Sequence, residues 1–515
     1  MYRLYAILPS RFYNGNPHHI LWNPVQILLA TVSNFLGYPG TVPFQIFGIL
    51  VNCTTLYVFY LLLCKTGRDS LFALVGVLFL ALSPSFWYLG LQNEPYPLAF
   101  LAMVSYLQSW STSAGDPPVG WRLAIAGLSL AIVIFFQQGA IVLIPPAMLV
   151  LTTHGKDSLR RRILRGAVWG AAFTGLVLAV YVFFWAISGN QTGLLQWSIG
   201  YLQSVHPLQL RQLGFMTSFA RSAMGLSAAL FQSDELTIFL GKHLSASAVV
   251  TLYASIGLLV LSGIAALVWW THSGRRLMAL MRHDALFAVS LLSVVFWWAF
   301  CFIWEPGTPH YWVLSFFPAL VCLGLAIREN LRHRKWLLVT AVVLLSGWNG
   351  IFNYRSDLSH SRNFPDPLLA AINEHVGTHD IFVVLGDDEW FGNMDYHLLF
   401  QCLKYSPRNP GIAIFNDYVI PARGAPVWQV GLREKISSTL DSGGKVFVAT
   451  HVFDPRSYVD LTAEEHPFSE QINEQYLGIE GRKVFQQVQE VFKSYNLIPS
   501  DFKIGTDSYF FVRPK

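Results

Sequence analysis

Apolar residues run in blocks of about twenty, the length a helix needs to cross the hydrocarbon of a bilayer. They fill most of the first 352 residues, and charges fall almost only between the blocks. Inside a bilayer every peptide group must find its partner within the protein, so such blocks can only be helices. The blocks at 43–64, 70–89, 95–111, 121–136, 139–153, 166–187, 247–271, 285–304, 311–328 and 335–352 predict an α-helical polytopic membrane protein of about ten spans. Only 13% of the chain is charged, against about 25% in soluble proteins. A plain soluble enzyme, a disordered chain and a disulfide scaffold are thereby excluded.

The charge changes sign along the chain. Residues 1–352 hold nine acids against twenty Lys/Arg, and residues 353–515 hold 21 acids against 15. The first part reads as a membrane domain with outer loops 1–42 and 188–246. The second has the size and polarity of a soluble domain. The overall +5 is loop charge that sets topology, so nucleic acid is not an expected partner. Four of the five cysteines lie in apolar spans and Cys402 is alone in the tail. No Cys-x-x-Cys or His/Cys spacing suggests a structural zinc.

Orientation follows Lys and Arg in the short loops. One side carries Lys65, Arg68, Arg122, the run Lys156–Arg165, Arg275, Arg276, Arg282, Arg328, Arg332, Arg334 and Lys335. The other carries Arg3, Arg11, Arg211, Arg221 and Lys242. The first side is expected to be cytoplasmic, and the chain to sit in the cell (inner) membrane. The 121–136 and 139–153 blocks are short for spans. A tight hairpin at Gln137-Gln138-Gly139 keeps the Lys156–Arg165 cluster cytoplasmic, and such half-length helices are tolerated where they line a cavity. Residues 25–37 read as a helix dipping into the outer face. With 1–42 outside and no signal peptide, the pattern predicts a further span upstream of Met1.

In the tail, β-like runs at Ile381–Leu385, Ile412–Phe415, Val446–Thr450 and Tyr509–Val512 alternate with helix-compatible stretches 389–405, 427–441 and 470–495. That alternation predicts a small extracytoplasmic α/β domain with a largely parallel sheet. No phosphate-binding glycine loop is present. Asp387, Asp388, Glu389, Asp417 and Asp454 would follow strands, where ligands often bind; solvated loop acids are the plainer reading.

Ionisable residues beside a span are costly and so are functional candidates. Glu94, in Gln92-Asn93-Glu94-Pro95-Tyr96-Pro97, stands where prolines suit the first turn of a helix. Asn93 or Glu94 would cap that helix, and the carboxylate is either a cap or a base. His18 and His19, in Pro17-His18-His19-Ile20-Leu21-Trp22-Asn23-Pro24, are general acid/base or phosphate contacts, or else an interfacial polar cluster anchored by Trp22. Trp304-Glu305-Pro306-Gly307-Thr308-Pro309-His310 offers Glu305 and His310 in a turn. In the long outer loop, Arg211 and Arg221 are cations that a phosphate would want, although a lone loop cation is more often surface charge. Gln137 and Gln138 face the same side and join the substrate-binding candidates.

At these residues the chain resembles the polytopic C-type glycosyltransferases (GT-C). It is similar to the bacterial branch related to protein O-mannosyltransferases and to aminoarabinose and galacturonate transferases. The likeness covers about 1–352 and rests on the order of parts. A PHHILWNP-like outer string precedes a dipping helix, SPSFWYLGLQNEPYPLAF and a short hairpin follow, and WEPGTPHYW precedes a late span and an exported domain. It implies inverting transfer, on the outer side, of a hexose or pentose from a polyprenyl-phosphate donor to a glycan, lipid or protein. An acid in the first outer loop is the family's usual base. Residues 1–42 contain no Asp or Glu, so Glu94, His18 or His19 would replace it, or the acid lies upstream. In some relatives a divalent metal bridges the phosphate, and here His18, His19 and Glu94 would supply its ligands. Two rivals differ in class: a transporter, which favours internal repeats and mid-membrane charge, and a non-catalytic assembly scaffold.

Overall fold

A computed structural model of the chain describes residues 20–22, 24–25, 28–29, 32, 42–67, 69–91, 95–112, 115–187, 193–195, 197–198, 215–231, 255, 274–304, 309–327, 335–349, 376–377, 379–384, 411–414, 428–453, 481–504 and 507–515. These residues fall into two compact units, one within 20–349 and the other within 376–515. The protein is a helical membrane chain with a C-terminal α/β unit.

The membrane unit contains α1 (Val42–Gly67), α2 (Ser70–Ala81), α3 (Pro84–Leu91), α4 (Tyr96–Trp110) and α5 (Trp121–Phe136). A 3₁₀ turn at Gln138–Leu143 leads into α6 (Ile144–Thr153) and α7 (Leu159–Ile187). Then come α8 (Phe215–Phe231), α9 (Gly274–His283), α10 (Ala285–Trp304), α11 (Pro309–Ile327) and α12 (Lys335–Asn349). Among the described residues, four helices are long and apolar enough to cross a membrane: Phe44–Gly67, Leu159–Ile187, Ala285–Trp304 and Pro309–Ala326. The expected span at 247–271 lies outside the described residues, apart from Ser255.

Helix ends follow from local chemistry. Asp69 caps α2, its Oδ1 accepting from the N–H groups of Leu71 at 2.9 Å and Phe72 at 3.1 Å. Asp284 does the same for α10 through the Phe287 N–H at 2.9 Å. The block 70–89, expected as one span, is broken into α2 and α3. Pro84 has no N–H to continue the helix, and the Ser83 hydroxyl donates instead to the Leu80 carbonyl at 2.9 Å.

Among the described residues, the basic loops that follow α1, α4, α6 and α9 gather at one end. Lys65 and Arg122 both donate to the Ser111 carbonyl. The Ala285 N–H donates to Gly115 O at 2.8 Å, and His154 Nε2 donates to Met281 O at 2.7 Å. Arg165 reaches the His154 carbonyl at 3.1 Å and Asp157 at 3.2 Å. Gly155 sits beside Pro117, so the chain that leaves this basic end along α5 returns to it along α6. The expected hairpin is present, although its turn is drawn out into the 3₁₀ segment. Ten residues of α6 span about 15 Å, half of the roughly 30 Å hydrocarbon layer. A single cysteine at Lys156 should resist a membrane-impermeant thiol reagent added outside intact cells; labelling there reverses the assignment of the basic end to the cytoplasm.

The core is aromatic. Phe86 stacks on Phe100 at 5.4 Å, and Phe59 meets Phe317 edge-on at 5.2 Å. Leu50, Leu61, Leu128, Leu164, Leu178 and Phe183 instead face outward, as suits lipid contact. Helices α1 and α3 approach closely at Gly48 and Gly90. A Cβ on Gly48 would stand 2.2 Å from the Gly90 carbonyl oxygen, and small residues permit such backbone approach. Gly48→Ala should therefore lower stability by about 1–3 kcal/mol. A fall in the thermal midpoint of the detergent-purified protein measures it, and an unchanged midpoint means that the two helices separate freely.

The second unit holds β1 (Ile381–Val384), β2 (Gly411–Ile414), α13 (Trp428–Asp441), β3 (Val446–Ala449), α14 (Gly481–Phe492), β4 (Tyr495–Ile504) and β5 (Asp507–Pro514). The sheet order is β2-β1-β3-β5-β4. The first three strands are parallel, and β5 and β4 add an antiparallel hairpin. The largely parallel expectation thus holds for three of five strands. Asp380 ties the strand starts together, accepting from the N–H groups of Gly377 at 2.7 Å and Lys445 at 2.8 Å. Phe382 and Phe447 stack across β1 and β3 at 4.7 Å. Helices α13 and α14 are joined by Trp428 Nε1 donating to Gln487 Oε1 at 2.6 Å. The acids Asp387, Asp388, Glu389, Asp417 and Asp454 lie outside the described residues.

Candidate functional site

Polar groups collect at the end of the membrane unit opposite the basic loops. Two helices begin there side by side. α4 starts at Tyr96, with Pro95 in the cap position and Pro97 in the first turn. α11 starts at Pro309-His310. Proline at these places sacrifices no hydrogen bond, because the first N–H groups of a helix have no internal acceptor. Pro95, rather than the expected Asn93 or Glu94, occupies the cap position of α4 and supplies no side-chain acceptor. The rings of Tyr96 and His310 meet edge-on at 5.3 Å, and His310 lies 4.6 Å from the Tyr311 ring. Each helix directs the positive end of its dipole to this place.

The Gln137-Gln138 turn joins the same end. Gln137 closes α5, its N–H donating to Val133 O at 2.7 Å, and its side chain is buried. Gln138 Nε2 donates to Ser198 O at 3.0 Å. Its Oε1 is buried with no hydrogen-bond partner among the described residues. A Cβ on Gly139 would fall 2.6 Å from Phe300 Cζ. Phe300 in turn lies 6.5 Å from the Tyr311 ring, so aromatic contacts run from the turn to His310. Trp297 Nε1 fixes this path by donating to Tyr311 O at 2.7 Å. The chain after His19 arrives at the same place. The Leu21 N–H donates to Phe135 O at 3.4 Å, and Trp22 packs with Ala99 and Phe136.

Helix α8 carries Arg221. Phe215, at its start, lies 5.3 Å from Phe302 near the end of α10. The helix packs against α3, α10, α11 and α12. Arg221 is only 6% exposed, which corrects the surface-charge reading of this residue. A guanidinium is tolerated there only in polar company. Ser218, three residues before it, and Ser222, next to it, are buried as well, and their hydroxyls have no hydrogen-bond partner among the described residues. Positions three and four apart share a helix face, so Ser218 lies on the side of α8 that carries Arg221 and Ser222.

The structure thus joins His310 to Tyr96, the second residue after Glu94, and joins the Gln137-Gln138 turn to Leu21, the second residue after His19. Glu94, His18, His19, Glu305 and Arg211 themselves lie outside the described residues. So do all the residues that would ligate a divalent metal, and the described residues hold no group of three or more His, Cys, Asp or Glu. Sequence reading missed Ser218 and Ser222, and also Trp348 and Asn349 in α12, whose side chains donate to carbonyls at the end of α8. A Trp-Asn pair closing an apolar span was the available signal, because a polar amide at that depth needs partners.

The chain is similar to a solved structure described as the crystal structure of ArnT from Cupriavidus metallidurans bound to undecaprenyl phosphate. The two share 12% identity and a TM-score of 0.41, over 95% of this chain and 73% of that one. No family model and no curated protein matches the chain.

Proposed function

We propose that the chain is an inverting GT-C-type membrane glycosyltransferase. It takes a sugar from a polyprenyl-phosphate donor reached through the bilayer and delivers it to a glycan, lipid or protein acceptor on the extracytoplasmic side. The observation that carries this reading is the meeting of Tyr96 and His310 at the end away from the basic loops. It brings the starts of α4 and α11 to one place. In the reaction, the acceptor hydroxyl oxygen bonds to the anomeric carbon as the bond from that carbon to the phosphate oxygen breaks. The hydroxyl proton passes to a base, assigned to Glu94 with His18 or His19 beside it. The departing polyprenyl phosphate keeps the electron pair and is stabilised by Arg221, Arg211 and the helix dipoles. Glu305, His310, Gln137 and Gln138 hold the sugar or acceptor by hydrogen bonds. A phosphate leaving group needs no nucleotide site, in keeping with a sequence that has none. The soluble tail is assigned to the same side.

The test is transfer of radiolabelled sugar from polyprenyl-phosphate donors in proteoliposomes. Label should appear in acceptor with wild-type protein and stay in the lipid with Glu94→Gln. No transfer from any such donor by the wild-type protein overturns the reading.

A further inference from the structure

Helix α8 ends in a place where its last carbonyls need outside donors. The final turn of any helix leaves four carbonyls without internal partners, and inside a membrane water does not supply them. Leu230 is buried, and Ser227, three residues before it, is fully so. The donors come from the end of α12, more than a hundred residues away in sequence. Asn349, 0% exposed, donates from Nδ2 to Leu230 O at 3.1 Å and to Leu82 O at 2.6 Å. Trp348 Nε1 donates to Phe231 O at 3.3 Å, with its ring edge-on to Phe231. One amide therefore joins the end of α8 to the break between α2 and α3.

We propose that Asn349, with Trp348, is a positioning residue that sets the place of Arg221 toward the phosphate of the lipid-linked substrate. The inference rests on the reading of Arg221 given above. Arg221 lies ten residues before Phe231, or about 15 Å along α8. A helix moves as a rod, so loosening its end tilts the guanidinium, and a displacement of about 1 Å can cost 100-fold in a site that depends on placement.

The experiment measures binding of undecaprenyl phosphate to nanodisc-embedded full-length protein, with thermal midpoints as a folding control. Asn349→Leu, which keeps the branched shape and removes the donor, should weaken binding about tenfold or more. Asn349→Ser, which keeps a donor, should recover most of the affinity. Trp348→Phe, which keeps the ring and removes only the N–H, should give a smaller loss and serves if Asn349→Leu fails to fold. The Asn349→Leu/Arg221→Ala double variant should bind no more weakly than Arg221→Ala alone, because misplacing an absent guanidinium changes nothing. If Arg221→Ala weakens binding but the two effects multiply, or if Asn349→Leu and Trp348→Phe bind like wild type, the positioning role falls while the site reading stands. If Arg221→Ala itself binds like wild type, the reading of Arg221 falls and the positioning role falls with it.

Discussion

Glu94→Gln should abolish sugar transfer while leaving the protein inserted and folded. Gln keeps the size and the hydrogen-bonding reach of Glu but cannot take a proton at neutral pH. Losing a general base costs roughly 10²–10⁴ in rate, whereas a helix cap is worth only about 1 kcal/mol. The cap position of α4 belongs in any case to Pro95. Transfer should fall to background in the proteoliposome assay with an unchanged thermal midpoint. His18→Ala and His19→Ala should lose unequal amounts, because adjacent side chains point in different directions in helical and in extended backbone alike. Wild-type transfer by Glu94→Gln would remove Glu94 from the chemistry and turn attention to Glu305.

Arg221→Gln should cost nearly as much. Arg221 is buried on a helix packed among four others, so solvent screens it little. A donor aimed at charge that develops on a departing phosphate is worth about 10²–10³ in kcat. Arg221→Lys should recover only part of that, because an ammonium keeps the charge but loses the planar fork that grips two phosphate oxygens. Single-turnover transfer rates for the three proteins measure the series. A Lys variant as slow as Gln would show that the fork is required. A Gln variant as fast as wild type would leave α8 as packing.

Much of the membrane unit is legible in sequence because hydrocarbon allows so few solutions. Apolar blocks anticipated the helices of the described residues, four of which are long and apolar enough to cross a membrane, and the positions of Lys and Arg anticipated which of the described loops gather at one end. The misses are local. Ser83-Pro84 splits a block whose hydropathy alone reads as continuous, since proline costs a hydrogen bond without lowering apolarity. Helix α8 was read as loop because its Ser and Arg residues lower its apolarity, yet those residues are buried. Burial depends on which neighbours the fold brings, and no local pattern carries that. In the tail, the helix-compatible stretch 470–495 reaches only the first residue of β4, and no strand is expected over the rest of it. The two-residue link Gly505-Thr506 between Ile504 and Asp507, with glycine first, was a hairpin signal that went unread. The candidate site was legible as residue types near helix starts. The pairing of Tyr96 with His310 and the bonds from α12 to α8 were not, because they join segments more than a hundred residues apart.

The hairpin has a bearing on solubility. Among the described residues β4 forms one margin of the sheet, and at ten residues it is long enough to recruit a strand from another molecule. Such a margin invites aggregation unless something interrupts it. Pro499 offers no N–H to an incoming strand, and the pairing with β5 shifts register between Pro499 and Lys503, which bends the ladder. A domain tethered to a membrane meets its own copies at high local density, where an interrupted margin is a poorer template for edge-to-edge pairing than a regular one.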